Sequence, residues 1–267
     1  SHLKSAPTSI MADWCFKSTH RLILPPTTRV FWSALLLLAF TLLAIVEIPR
    51  PKTPGALRQG FASVPKVIKD AGLLALKHPA LSLLLAALAF FLMATNPVEV
   101  TWPTFAKPML DEGYANTVIG ALTATYFFSI AFGASLSPYV SQIFKRQHAM
   151  TLAATFACLA GVQIALAVQG NILGFVIVFI LYAVFLGVSE TPASSILHRC
   201  VEDRQRSTML SLRSLIQQLG AALGLVFAGT VAEIYSTPIA WIAGAVFLFI
   251  AAILSLVLVK QLAVESR

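Results

Sequence analysis

Seven apolar stretches of roughly the length needed to cross a bilayer as helices punctuate this sequence: 31–49, 80–98, 117–141, 149–168, 171–189, 208–231 and 238–259. A helix needs about 20 apolar residues to traverse about 30 Å of hydrocarbon. Lipid offers no hydrogen-bond partner, so a spanning segment satisfies its own backbone as a helix or as a strand of a closed barrel. Barrel strands alternate in hydropathy over about ten residues. The runs from Leu81 to Met93 and from Ile172 to Leu186 do not alternate. The expected fold is therefore an all-α integral membrane protein with seven transmembrane helices. Composition leaves a soluble fold little room, with 58% of residues hydrophobic and 11% charged. A soluble domain carries about 25% charge.

The charges predict orientation, because cytoplasmic loops collect Lys and Arg. Segment 50–79 holds Arg50, Lys52, Arg58, Lys66, Lys69 and Lys77 against Asp70. Segment 99–116 is poor in cations, with Glu99, Asp111 and Glu112 against Lys107. Lys145 and Arg146 mark the 142–148 turn, and Arg199, Arg204 and Arg206 the 190–207 loop. The turns near Gly170 and at 232–237 lack cations. This alternation places 50–79, 142–148, 190–207 and the tail at 261–267 in the cytoplasm, with the plasma membrane the expected site. The net charge of +8 is then mostly a topology signal and no evidence for nucleic-acid binding. Residues 1–30 break the pattern with Lys4, Lys17, Arg21 and Arg29, and read as a disordered or non-native leader. In the 50–79 connector, Phe61, Val64, Ile68, Ala71 and Leu74 share a helical face opposite the lysines. That pattern suits either an amphipathic helix on the membrane surface or a basic linker.

The last six spans repeat. Starts at 80, 117 and 149 are followed by starts at 171, 208 and 238, and an offset of 91 aligns Glu99 with Glu190 and Gly133 with Gly224. A three-helix unit reverses direction in the membrane, so this is a 3+3 inverted repeat, the architecture of many secondary transporters. The span at 31–49 stands outside it, and 80–260 forms the six-helix bundle.

Three stretches carry a family resemblance: NPVEVTWP at 96–103, TVIGALTATYFFSIAFGASLSP at 117–138 and HRCVEDRQRSTMLSLRSLIQQLGAALGLVFAG at 198–229. The chain resembles the C-terminal half of a major facilitator superfamily transporter, with 31–49 similar to the sixth helix and 80–259 to helices seven to twelve. The third stretch is similar to drug-exporter-like members. The resemblance implies half of that fold, a truncated chain lacking its N-terminal six-helix half, and export of small-molecule solutes by alternating access, with protons as a coupling ion.

Polar residues inside a membrane are costly and mark candidate sites. Asn96 and Glu99, three apart, suit a cationic or hydrogen-bonding solute, and Glu99 could take up a proton; the plainer reading is an interfacial carboxylate. Pro97 is expected to open the helix between them, since it lacks an N–H. Tyr126 and Tyr182 supply aromatic surface for a pocket, or simply pack. Gln217 and Gln218 either contact solute or hydrogen-bond across helices, as Gln163 is expected to do. Glu190 reads as a cytoplasmic gate pairing with Arg199, Arg204 or Arg213, or as a solvated helix-end charge. Trp102 suits an interfacial belt. Gly220 and Gly224 form a GxxxG that allows close helix approach.

Other functions find little in the sequence. No HExxH, GxSxG or phosphate-cradling GxxxxGK[ST] occurs, so an enzyme is not expected. Cys15, Cys158 and Cys200 have no metal spacing, and neither metal nor cofactor is expected. The alternative is a seven-helix receptor or sensor. Lys260 lies beyond the last span, where a retinal protein would need it inside, and the repeat has no place in such receptors.

Overall fold

The computed structural model describes Gly72 and residues 78–111, 113–145, 147–201 and 205–265. The chain divides into two compact units, and every described residue belongs to the second, Ser63–Arg267. The leader, the 31–49 span and nearly all of the 50–79 connector lie outside the described residues.

Each of the last six apolar stretches is a helix: α1 Pro79–Ala106, α2 Ala115–Ile143, α3 His148–Ala167, α4 Ile172–Cys200, α5 Arg206–Ile234 and α6 Thr237–Glu265. All six are long and apolar enough to cross a membrane, and no strand occurs among the described residues. The six-helix bundle agrees with the expected half of a major facilitator fold. Pro79 starts α1, where a missing N–H costs nothing. Asn171 caps α4, its side-chain oxygen accepting the Gly174 N–H at 2.8 Å.

The helices outrun the apolar stretches. At 1.5 Å per residue the longer ones reach about 42 Å, beyond the hydrocarbon and into the headgroup region. The expected loops at 99–116 and 190–207 are therefore largely helix. α1 continues to Ala106 and a short 3₁₀ turn at Lys107–Met109, and α4 continues to Cys200.

Pro97 does not open α1, contrary to expectation; it is buried inside a continuous helix, as Pro192 is inside α4. Neighbouring helices pack against the carbonyls these prolines deprive of a partner. Pro192 frees the Val188 carbonyl, which accepts the Ser137 hydroxyl of α2 at 2.8 Å. Pro97 frees the Met93 carbonyl, which lies against Gly224 of α5.

The neighbours of each helix follow the repeat. α2 packs on α4 and α5 on α1; α3 packs on α4 and α6 on α1; α3 and α6 pack on each other. Exchanging the first three helices with the last three returns the same set. Glycines make the closest approaches. A Cβ on Gly133 would collide with the Val184 carbonyl, and one on Gly224 with the Met93 carbonyl. These two contacts are related by the same 91-residue offset. Gly220 meets Ala89 and Gly187 meets Ile130 in the same way.

The core runs through α1, α3, α4 and α6. At one end it is aromatic: Trp102 lies 4.7 Å from Phe179, and Phe105 the same distance from Trp241, centroid to centroid. Trp102 is only 3% exposed, so it packs in this core and is not an interfacial belt residue. The Trp241 indole donates to the Thr101 hydroxyl at 2.9 Å. Gln163 of α3, fully buried, donates its amide to the Trp241 carbonyl of α6 at 2.9 Å and reaches the Ala94 carbonyl of α1 at 3.4 Å.

Candidate functional site

A groove of about 250 Å³ opens on the face formed by α1, α2, α4 and α5. Helical spacing builds it. Phe91, Thr95 and Glu99 recur every four residues on α1, Tyr126 and Ile130 do so on α2, and Leu186 and Glu190 on α4, so each set forms one stripe. Ser214, Gln217 and Gln218 of α5 complete the lining. The result is an apolar wall carrying two carboxylates, two amides, a phenol and hydroxyls. Such a mixture is typical of solute pockets.

The two carboxylates differ in their surroundings. Glu190 pairs with Arg213 of α5 at 2.8 Å, and the same guanidinium donates to the Ser194 hydroxyl at 3.0 Å. The Arg213 side chain is 9% exposed and that of Glu190 51% exposed, so the cation is held in the bundle while the anion reaches the groove. Arg213 satisfies two of its nitrogens there, and its buried Nε has no partner. Glu99 faces the groove from α1, and among the described residues no cation pairs with it. Tyr126 is held edge-on to Phe127 and stacked at 5.2 Å on Phe179, which fixes its ring at the groove wall.

The structure brings together Glu99, Tyr126, Glu190, Gln217 and Gln218. Asn96 does not join them. It sits one residue round α1 from Thr95 and turns about 100° away from the lining stripe. Tyr182 is fully buried in the core, on the α4 stripe between Phe179 and Leu186, and does not line the groove. Of the arginines expected to pair with Glu190, the structure selects Arg213. Arg199 lies exposed in the last turn of α4, and Arg204 is outside the described residues. Glu190 is also not at a helix end, because α4 carries on through Pro192.

Sequence reasoning missed Thr95, Ser194 and Ser214. Thr95 lies four residues before Glu99 and Ser214 three before Gln217, so helical spacing from those polar residues was the available signal. Ser194 follows Glu190 by four in the same manner.

Comparison with known proteins agrees with the architecture. The family model described as Major Facilitator Superfamily matches residues 92–267. No curated protein and no solved structure matches the chain. A receptor gains no support from the match. The matched region takes in five of the six described helices whole and α1 from Leu92 onward, which includes Thr95 and Glu99 of the groove. With that match over more than half its length and a bundle built as a 3+3 repeat, the chain belongs to the Major Facilitator Superfamily, a family of membrane transporters.

Proposed function

We propose that this bundle is one wall of an export pathway for small cationic, hydrogen-bonding solutes, in the manner of drug exporters. The groove supports the reading. It presents Glu99 without a counter-cation beside the Tyr126 ring and the Gln217 and Gln218 amides, while the opposing Glu190 is neutralised by Arg213. A lone carboxylate near an aromatic face suits a cation, and two amides fix its hydrogen-bonding groups.

The groove is open on one side. A second six-helix bundle would close it, and alternating access would come from rocking of the two bundles. Glu99 also suits the role of a proton-accepting group, so that proton uptake and solute release compete for one carboxylate. The Glu190–Arg213 pair would act as a gate that favours one access state. The alternation of basic loops supports a cytoplasmic C-terminus, and a plasma-membrane location is part of the same proposal.

The test is flux of a fluorescent lipophilic cation in proteoliposomes, with the chain reconstituted alone or together with an N-terminal six-helix half from a family member. Transport is expected only in the combined preparation. Glu99→Gln is expected to lower it at least about tenfold, the equivalent of losing about 1.4 kcal/mol of cation stabilisation. Transport by the chain alone, or full transport by Glu99→Gln, would overturn the proposal.

A further inference from the structure

A second cavity, of about 350 Å³, lies where the start of α3 meets the ends of α4 and α6. It is separate from the groove and shares no residue with it. Its floor is aliphatic, from Ile196, Val259 and Leu262, and its polar lining carries Arg199, His148 and Gln147. No acidic side chain lines it among the described residues.

We infer that this cavity is a binding site for the headgroup of an anionic phospholipid from the leaflet at this end of the bundle. The placement is the first reason. The cavity sits within the last turns of two spanning helices, the depth at which a lipid phosphate gives way to its acyl chains. The lining is the second. A guanidinium offers a fork of N–H donors that matches phosphate oxygens. An aliphatic floor beside it accommodates the first methylenes of the chains. A free phosphate would satisfy Arg199 and leave that floor without a partner.

The field around the cavity is the third reason. Among the described residues the same end of the bundle carries Lys145, Arg206 and Lys260 against Glu265, whereas the opposite end carries Asp111 and Glu233 with Lys107. A choline headgroup brings its own cation into this basic surrounding and gains less than a headgroup with a net negative charge.

The test uses the full chain, purified in detergent and titrated with dioctanoyl phosphatidylglycerol, dioctanoyl phosphatidylcholine or inorganic phosphate. Thermal unfolding and native mass spectrometry give the readouts. The glycerol lipid is expected to raise the unfolding temperature in a saturable manner and to remain bound in the gas phase. The choline lipid and phosphate are expected to do neither. Arg199→Glu is expected to weaken the lipid at least about tenfold, since it removes a charge-assisted bond and adds repulsion. Arg199→Gln, a milder change at an exposed position, is expected to weaken it about threefold or more. Lys260→Glu changes the same charge at the same end outside the cavity lining, alters only part of the surrounding field, and is expected to weaken the lipid by about threefold at most, clearly less than Arg199→Glu. Equal stabilisation by the two lipids would overturn the inference, as would equal losses from Arg199→Glu and Lys260→Glu. Stabilisation by phosphate alone would replace the lipid with a soluble anion and overturn it too.

Discussion

The first three helices and the last three share a backbone plan and differ in their polar chemistry. Gly133 meets the Val184 carbonyl as Gly224 meets the Met93 carbonyl. Glu99 and Glu190 occupy equivalent positions and line the same groove. Yet the position equivalent to Arg213 is Leu122, so one carboxylate is paired and the other is not. Likewise Gln163 of α3, which ties three helices together, has Leu254 as its equivalent in α6. Backbone approach leaves little freedom, because any Cβ at these glycines meets a carbonyl. The polar positions are free to diverge, and their divergence makes the groove electrically lopsided.

If the glycine contacts are equivalent, Gly133→Leu and Gly224→Leu will be comparably damaging, each by more than about 3 kcal/mol, at or above the upper end of ordinary overpacking. Gly229, with open space around it, serves as the control; Gly229→Leu is expected to stay within about 0.5 kcal/mol. Unfolding by SDS titration in mixed micelles would show this, and tolerance at one glycine alone would break the symmetry.

The ion pair is expected to be lopsided in its turn. Glu190→Gln removes the charged partner of a guanidinium that is 9% exposed, at about 1.5–3 kcal/mol. Arg213→Gln strands a carboxylate whose side chain is 51% exposed and can be hydrated, at about 1 kcal/mol. The same titration reads the difference, and equal costs would mean that Arg213 is not buried as described.

Leu122→Arg would copy the second half onto the first. The arginine is expected to destabilise the bundle, but by about 1 kcal/mol less with Glu99 present than with Glu99→Gln. A double-mutant cycle with no coupling would show that the two carboxylates are not geometrically equivalent. The smallest change is Gln163→Leu, which makes α3 like α6 and should cost about 0.6 kcal/mol, rising to about 2 if both carbonyls are left bare.

The six described spans were legible because hydrocarbon imposes one requirement, a long apolar run, that few other structures share. Their ends were not. From Glu99 to Ala106 and from Glu190 to Cys200 the chain stays helical while polar residues accumulate, since only the middle of a span must be apolar. Prolines misled for a related reason. Pro97 reads as a break, but Gly224 lies against the carbonyl it frees, and that neighbour is far away in sequence. In the site, Glu99, Tyr126, Gln217 and Gln218 stood out as polar or aromatic groups in apolar surroundings. Thr95 did not, because its hydroxyl donates to the Phe91 carbonyl at 2.9 Å and the residue then behaves as an apolar one. Choosing Arg213 over Arg199 required the rotation of α5 against α4, and placing Tyr182 in the core required the packing of α2 on α4. Neither is encoded in any single helix.

The Glu190–Arg213 pair also bears on how the bundle is assembled in the first place. Arg213 lies about two turns inside α5, and an arginine opposes partition of its helix from the translocon by up to about 2.5–3.5 kcal/mol, the value at the helix centre. α5 is among the less hydropathic of the six described spans, with a mean of 1.6 against 2.7 for α4. Emerging alone, it is a reluctant segment. Its counter-charge, however, lies on the helix synthesised immediately before it, joined by a connection of only a few residues. The order of synthesis therefore delivers the acidic member first, and the arginine of α5 meets a counter-charge that is already in place on a helix it touches through side chains rather than through backbone packing.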